Sequence, residues 1–235
     1  MLNIEQYRYG EDNLGYFIYG KKKAMAVDGG AWEDILEFLS GNDLVLDYVA
    51  NTHLHYDHIT GNDELLKRTK AKYLEFDDLS DGREIFLDGD KIIIIRTPGH
   101  SIESLCFYTG SAIITGDTLF NGTVGNCFSG DLKAFLLSIK RLMAFPPNTL
   151  IFAGHDYWMD SLAFAEYLEP ENPDIARFRS LYDPNHVCST LAEEFKINPY
   201  LRFNATPIIK LLKERNLPHE TEWERWESLM SIDGA

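Results

Sequence analysis

The stretch Leu44-Val-Leu-Asp-Tyr-Val-Ala-Asn-Thr-His-Leu-His-Tyr-Asp-His58 decides how the chain is read. Its first half is a β-rich apolar run of the kind that forms a buried strand, and its second half packs three histidines and an aspartate into seven residues, 52 to 58. A strand that ends in a burst of metal-ligand side chains predicts a polar loop at one sheet edge, where binding groups concentrate.

Other strand ends repeat the pattern. "TPGHS" delivers His100 after the run "KIIIIR", "TGDTLF" delivers Asp117 after "SAII", and "AGHDY" delivers His155 after "TLIF". Glycine-punctuated β-rich runs fill the chain to about residue 155, beginning with "NLGYFIYG" and "KAMAVDGG". Helical patterns interrupt them at "AWEDILEFLSG", at about 60 to 69, and at "DLKAFLLSIKRLMAF", where Leu132, Phe135, Leu136, Ile139, Leu142 and Met143 recur at helical spacing. The sum is a layered α/β architecture with helices over a sheet-rich centre. Beyond His155 the reading turns all-helical, with breaks at Pro170, Pro173, Pro184, Pro199, Pro207 and Pro218. The domains expected are therefore 1–165, which carries the candidate ligands, and 166–235, a helical appendix. "TLAE", from Thr190 to Glu193, fits a capping box.

Seven side chains, His53, His55, Asp57, His58, His100, Asp117 and His155, are thus candidates to converge. Burying several histidines and two carboxylates without a cation would cost several kcal/mol or force large pKa shifts, so a metal site is expected. The three cysteines, Cys106, Cys127 and Cys188, are too widely spaced for a disulfide framework or a thiolate site, which leaves imidazole and carboxylate as the ligands. That donor set suits zinc, iron or manganese. Asp28, closing "AMAVDGG", reads either as an acceptor for a ligand's N–H or as a plain turn aspartate, and Asp156 is equally open. Cys127 reads as a pocket-lining or packing residue, since no base adjoins it.

The segments T-H-L-H-Y-D-H, T-P-G-H, G-D-T-L-F and G-H, in this order, resemble the metallo-β-lactamase superfamily. The resemblance implies an αββα sandwich and two divalent metals, zinc first among the candidates. His53, His55 and His100 would hold one, Asp57, His58 and His155 the other, and Asp117 would bridge, with Asp57 and Asp117 as the catalytic carboxylates. "GDTLFNGTVGNCFSGD", "GHDYWMDSLAFAEYLEPENPDI" and "LAEEFKINPYLR" further resemble the glyoxalase II (hydroxyacylglutathione hydrolase) branch, in which the helical region completes a pocket for a glutathione thioester. Hydroxide generated at the metals would then attack the thioester carbonyl.

Substrate contacts implied by that branch fall on Tyr157, on Asn126 and Phe128, where the family has a lysine and a tyrosine, and on the basic residues Lys210, Lys213 and Arg215. Asp156 replaces the family's glutamate. The same superfamily includes persulfide dioxygenases with a single iron, which would use His53, His100 and Asp117; hydrolysis of another small ester or thioester is a further alternative. A formal net charge of −15 argues against a nucleic-acid partner. No run is long enough to span a bilayer, so a cytoplasmic enzyme acting on a small thioester is expected, with no membrane and no protein partner.

Overall fold

The computed structural model describes residues 1–232. A first sheet is built from β1 (Asn3–Tyr9), β2 (Asn13–Tyr19), β3 (Lys23–Val27), β4 (Val45–Ala50) and β5 (Lys72–Tyr73), paired in that order. Helices α1 (Trp32–Gly41), α2 (Tyr56–Ile59) and α3 (Asn62–Arg68) lie within its connections. The second sheet contains β6 (Glu84–Leu87), β7 (Asp90–Arg96), β8 (Leu105–Tyr108), β9 (Ala112–Gly116), β10 (Leu150–Ala153) and β11 (Ser189–Thr190), paired in sequential order across the sheet. Helix α4 (Leu132–Met143) joins β9 to β10, whose parallel pairing requires such a crossover.

The strand alternation explains why the sheets stack. Tyr16, Ile18, Met25 and Val27 of the first sheet meet Ile92, Ile94, Phe107, Ile114 and Phe152 of the second in one buried core. The alternate residues Phe17, Ala24 and Ala26 point the other way, onto Ile35, Leu39 and Leu65 of α1 and α3. Likewise Cys106, Ile113 and Ile151 pack outward onto Phe135, Ile139 and Leu142 of α4. A period of two in each strand therefore yields four layers, helix, sheet, sheet, helix. Each large apolar side chain fully buried in them contributes about 1.5–3 kcal/mol. The α4 stripe expected from its spacing is buried at these positions, and Asp131 caps the helix by accepting from Ala134 N at 2.9 Å.

The rest is mainly helical: α5 (Trp158–Leu168), α6 (Pro173–Arg179), α7 (Leu191–Ile197), α8 (Thr206–Glu214) and α9 (Glu222–Met230). Helix α5 runs through residue 165, the expected domain boundary. The expectation of an all-helical second half needs one correction, because β11 adds to the second sheet through Ser189 and Thr190, opposite Ile151 and Leu150. Two residues are too few to carry an alternation, and they directly precede a helix signal. That signal is the Thr190/Glu193 capping box, present with both of its hydrogen bonds. The appendix is fastened to the sandwich by Trp226, which meets Phe135 edge to face at 5.6 Å and donates from Nε1 to Leu132 O.

Candidate metal centre

Strands β7, β9 and β10 point the same way, because β8 is antiparallel to both β7 and β9 while β10 is parallel to β9. Their C-terminal ends therefore share one edge of the sandwich, and His100, Asp117 and His155 follow them there. From the first sheet, β4 ends at Ala50, and its continuation brings His53, His55, Asp57 and His58 to the same place, the last two on α2. All seven donors converge in two groups: His53, His55, His100 and Asp117, and Asp57, His58 and His155, with the ligand atoms of each group within 4.8 Å of one another.

Within the first group His55 Nδ1 stands 2.9 Å from His53 Nε2 and 3.0 Å from His100 Nε2. Within the second, His58 Nε2 and His155 Nε2 are 3.2 Å apart, and Asp57 Oδ2 lies 3.3 Å from His155 Nε2. Asp117 lies between the groups, Oδ2 at 3.5 Å from His100 Nε2 and from His155 Nε2, and Oδ1 at 3.4 Å from His58 Nε2.

The opposite ring nitrogens fix the orientation of these histidines. His58 Nδ1 donates to Asp28 Oδ2 at 3.0 Å, His155 Nδ1 to Asp12 Oδ1 at 2.9 Å, and His100 Nδ1 to Asn126 O at 3.0 Å. Thr52 Oγ1 gives its own proton to Asp28 at 2.7 Å and so accepts from His53 Nδ1 at 3.1 Å. With Nδ1 protonated, each of these four rings turns an Nε2 lone pair inward.

Facing lone pairs repel, and Asp117 Oδ1 is buried there without a hydrogen-bond partner. A buried carboxylate oxygen ringed by imidazole lone pairs is what a cation satisfies, so the donor set fits divalent metal. With no cation the side chains compensate one another by protonation, and His58 takes up the proton. Burial, aided by His58, pushes His53 down to about 3, whereas His58 is pushed up to about 11 against its own burial by Asp28 and Asp117. Asp117, despite burial, is held well below the usual carboxylate range by His155 and His58.

Two glycines make room for this. A Cβ on Gly154 would stand 2.2 Å from Asp117 Oδ1 and 2.9 Å from His58 Cε1, so the residue before His155 must lack one. Gly116, at φ +50°, presses against the Thr52 side chain just before Asp117.

Asp28 satisfies both of its sequence readings. It adopts φ +52° as a turn residue, and its carboxylate collects Thr52 N, Thr52 Oγ1, Asn51 Nδ2 and His58 Nδ1. Asp156 instead pairs with Arg8 and accepts from Tyr182 Oη at 2.7 Å. Cys127 is half-buried, packed against the outer core of the second sheet, with Sγ 3.5 Å from Ser129 Oγ. Sequence reasoning missed Asp12 and Asn13. Asn13 Nδ2 donates to Asp57 Oδ2 at 2.8 Å, and the backbone around the pair is zipped to the His155 loop through Asp156 N to Asp12 O and Leu14 N to Gly154 O. The available signal was the polar pair Asp-Asn placed directly before a buried strand.

Of the expected substrate contacts, Tyr157 lies flat on His155, ring centroids 5.0 Å apart and planes 3° from parallel. Phe128, 67% exposed, sets its ring 5.2 Å from His100 and 5.8 Å from His55. Asn126 and Tyr157, which touch His100 and His155, also line a cleft of about 420 Å³ along α5. Lys210, Lys213 and Arg215 do not line it: Lys210 Nζ is 3.7 Å from Glu214, Arg215 covers the Tyr167 ring at 4.8 Å, and Lys213 is exposed on α8.

Comparison with known proteins gives the family. Residues 11–79 and 72–155 match the Metallo-beta-lactamase superfamily, and residues 156–231 match the Hydroxyacylglutathione hydrolase C-terminus. The hydroxyacylglutathione hydrolase of Chromohalobacter salexigens is 33% identical over 212 residues, spanning 82% of this chain and 83% of that protein. That of Brucella ovis is 32% identical over 244 residues, 93% of each chain. Among solved structures, ETHE1 from Myxococcus xanthus has the same fold, with a TM-score of 0.66 at 23% identity over 92% of both chains.

Proposed function

The chain belongs to the metallo-beta-lactamase superfamily and, within it, to the hydroxyacylglutathione hydrolase family; on that premise we propose that it hydrolyses a small thioester, of a 2-hydroxyacyl group on glutathione or a related thiol, at a two-metal centre. The observation that carries this reading is the meeting of two complete donor groups at one sheet edge, with Asp117 between them.

His53, His55 and His100 would hold one divalent cation and Asp57, His58 and His155 the second, with Asp117 shared. Zinc is the first choice, and iron or manganese suits the same nitrogen and oxygen donors. Such cations, when bound, polarise a carbonyl and bring the pKa of bound water to about 7. The protein's part is to orient and to exclude. Asp28, Asp12, Thr52 and the Asn126 carbonyl keep the inward nitrogens aimed, and Asn13 holds Asp57 in place at the half-exposed mouth. Water supplies OH to the acyl carbon as the C–S bond breaks, giving a carboxylate, a thiol and one proton. A thiol leaving group with a pKa near 8.5 departs without a dedicated acid.

Tyr157, Asn126 and Phe128 would contact the substrate. A single-iron persulfide dioxygenase needs only His53, His100 and Asp117, and leaves the group of Asp57, His58 and His155 without a task. A cytoplasmic setting fits the three free cysteines. Among the described residues no helix is long and apolar enough to cross a membrane.

The test is hydrolysis of S-D-lactoylglutathione and of related thioesters by protein loaded separately with zinc, iron and manganese. Asp117→Ala should abolish turnover. Near-wild-type rates in the fully loaded variant would exclude the shared-carboxylate centre.

A further inference from the structure

The cleft beside the histidines has a polarity of its own. Its inner end adjoins the metal centre through Asn126, whose carbonyl accepts from His100, and through Tyr157, stacked on His155. Along its wall stands Ser161, only 4% exposed, with an Oγ that has no hydrogen-bond partner. Tyr200 also lines the cleft. Both tyrosine hydroxyls are neutral donors at ordinary pH.

Among the described residues, Asp160, which is exposed, is the one charged side chain of the lining, and no lysine, arginine or histidine lines the cleft. The nearby cations on and after α8 are engaged elsewhere or point to solvent, as Lys210 with Glu214 and Arg215 over Tyr167 illustrate.

Glutathione brings two carboxylates and one ammonium. In this cleft the carboxylates would meet hydroxyl groups, an amide and a like charge, with no counter-ion, and the whole chain repels anions through its net charge of −15. We propose that the cleft selects thioesters whose thiol moiety carries amide or hydroxyl groups and no carboxylate, with Ser161 as a hydrogen-bonding partner and Asp160 as the residue that disfavours anionic carriers. This rests on the thioester hydrolase reading and narrows its substrate.

The experiment compares S-D-lactoylglutathione with its diamide, which has the same length and acyl group but amides in place of both carboxylates, using the metal-loaded full chain. The diamide should show a kcat/KM at least tenfold higher, with the difference in KM, and the ratio should narrow as salt screens the repulsion. Asp160→Lys should move the ratio toward the glutathione ester by about tenfold, and Asp160→Asn by less. A higher kcat/KM for the glutathione ester in the wild type, or a ratio unmoved by both substitutions, overturns the proposal and leaves thioester hydrolysis standing. Hydrolysis of neither ester by fully loaded protein overturns both.

Discussion

Asp12 accepts the Nδ1 proton of His155 at 2.9 Å, across 143 residues of chain, and so sets which nitrogen of that imidazole faces the centre. The contact also joins the turn between β1 and β2 to the loop after β10. Asp12 is a positioning residue, and Asp12→Ala should weaken the site of Asp57, His58 and His155 by about 10–100-fold in zinc affinity. Titration of metal-free protein with zinc should then show one tight site and one weakened site. Two unchanged tight sites would show that the backbone alone orients His155.

Gly154→Ala places a methyl group against Asp117 Oδ1 and the His58 ring. An intact circular dichroism spectrum with a loss of about 100-fold in kcat/KM is expected, since displacements near 1 Å at reacting groups have effects of that order. Metal analysis should show reduced stoichiometry in the same sample. Full activity would mean that the loop shifts without disturbing either side chain.

Glu194 links the appendix to the loop beyond Asp117. It is buried on α7 and accepts from Ser189 Oγ at 2.6 Å, Gly122 N at 2.9 Å and Asn198 Nδ2 at 2.9 Å. Burial, opposed by those bonds, pushes its carboxyl from 4.5 up to about 7. Between these values the folded protein binds more protons at this site than the unfolded chain, so its contribution is full below pH 4.5 and fades as pH rises through 7. The loss is roughly 3 kcal/mol at most. Glu194→Gln retains an acceptor oxygen and a donor to Ser189, and denaturant unfolding between pH 5 and 8 should show a flatter pH dependence than in the wild type. Parallel profiles would assign the slope to other groups.

Lys213 is exposed on α8 and outside the cleft lining. Surface substitutions of this kind change free energies by about 0.5 kcal/mol or less, so Lys213→Ala should leave KM and kcat within about twofold of wild type. A severalfold rise in KM at constant kcat would instead bring this lysine into contact with bound substrate.

The candidate donors were legible in the sequence because each follows a short, strongly apolar strand, and because three histidines within seven residues are rare by chance. His53 to His58, His100, Asp117 and His155 could be gathered from local pattern alone. Their hydrogen-bond partners were harder to read. Asp12 and Asn13 look like any polar turn, and only the pairing of β2 with β3 places that turn beside the ends of β4 and β10. Glu194 was hidden for a related reason: its position in α7 reads as part of a capped surface helix, and its burial follows from β11, which is too short to announce itself. The destination of Lys210, Lys213 and Arg215 depended on the packing of α8, which helical spacing does not specify.

The two sheets divide the donors. His53, His55, Asp57 and His58 hang from the first, while His100, Asp117 and His155 hang from the second. Any ion seated in either group is consequently a rivet across the seam of the sandwich. Chelation should therefore be felt far from the centre, as faster amide hydrogen exchange in strands such as β2 and β9 that face each other through the core.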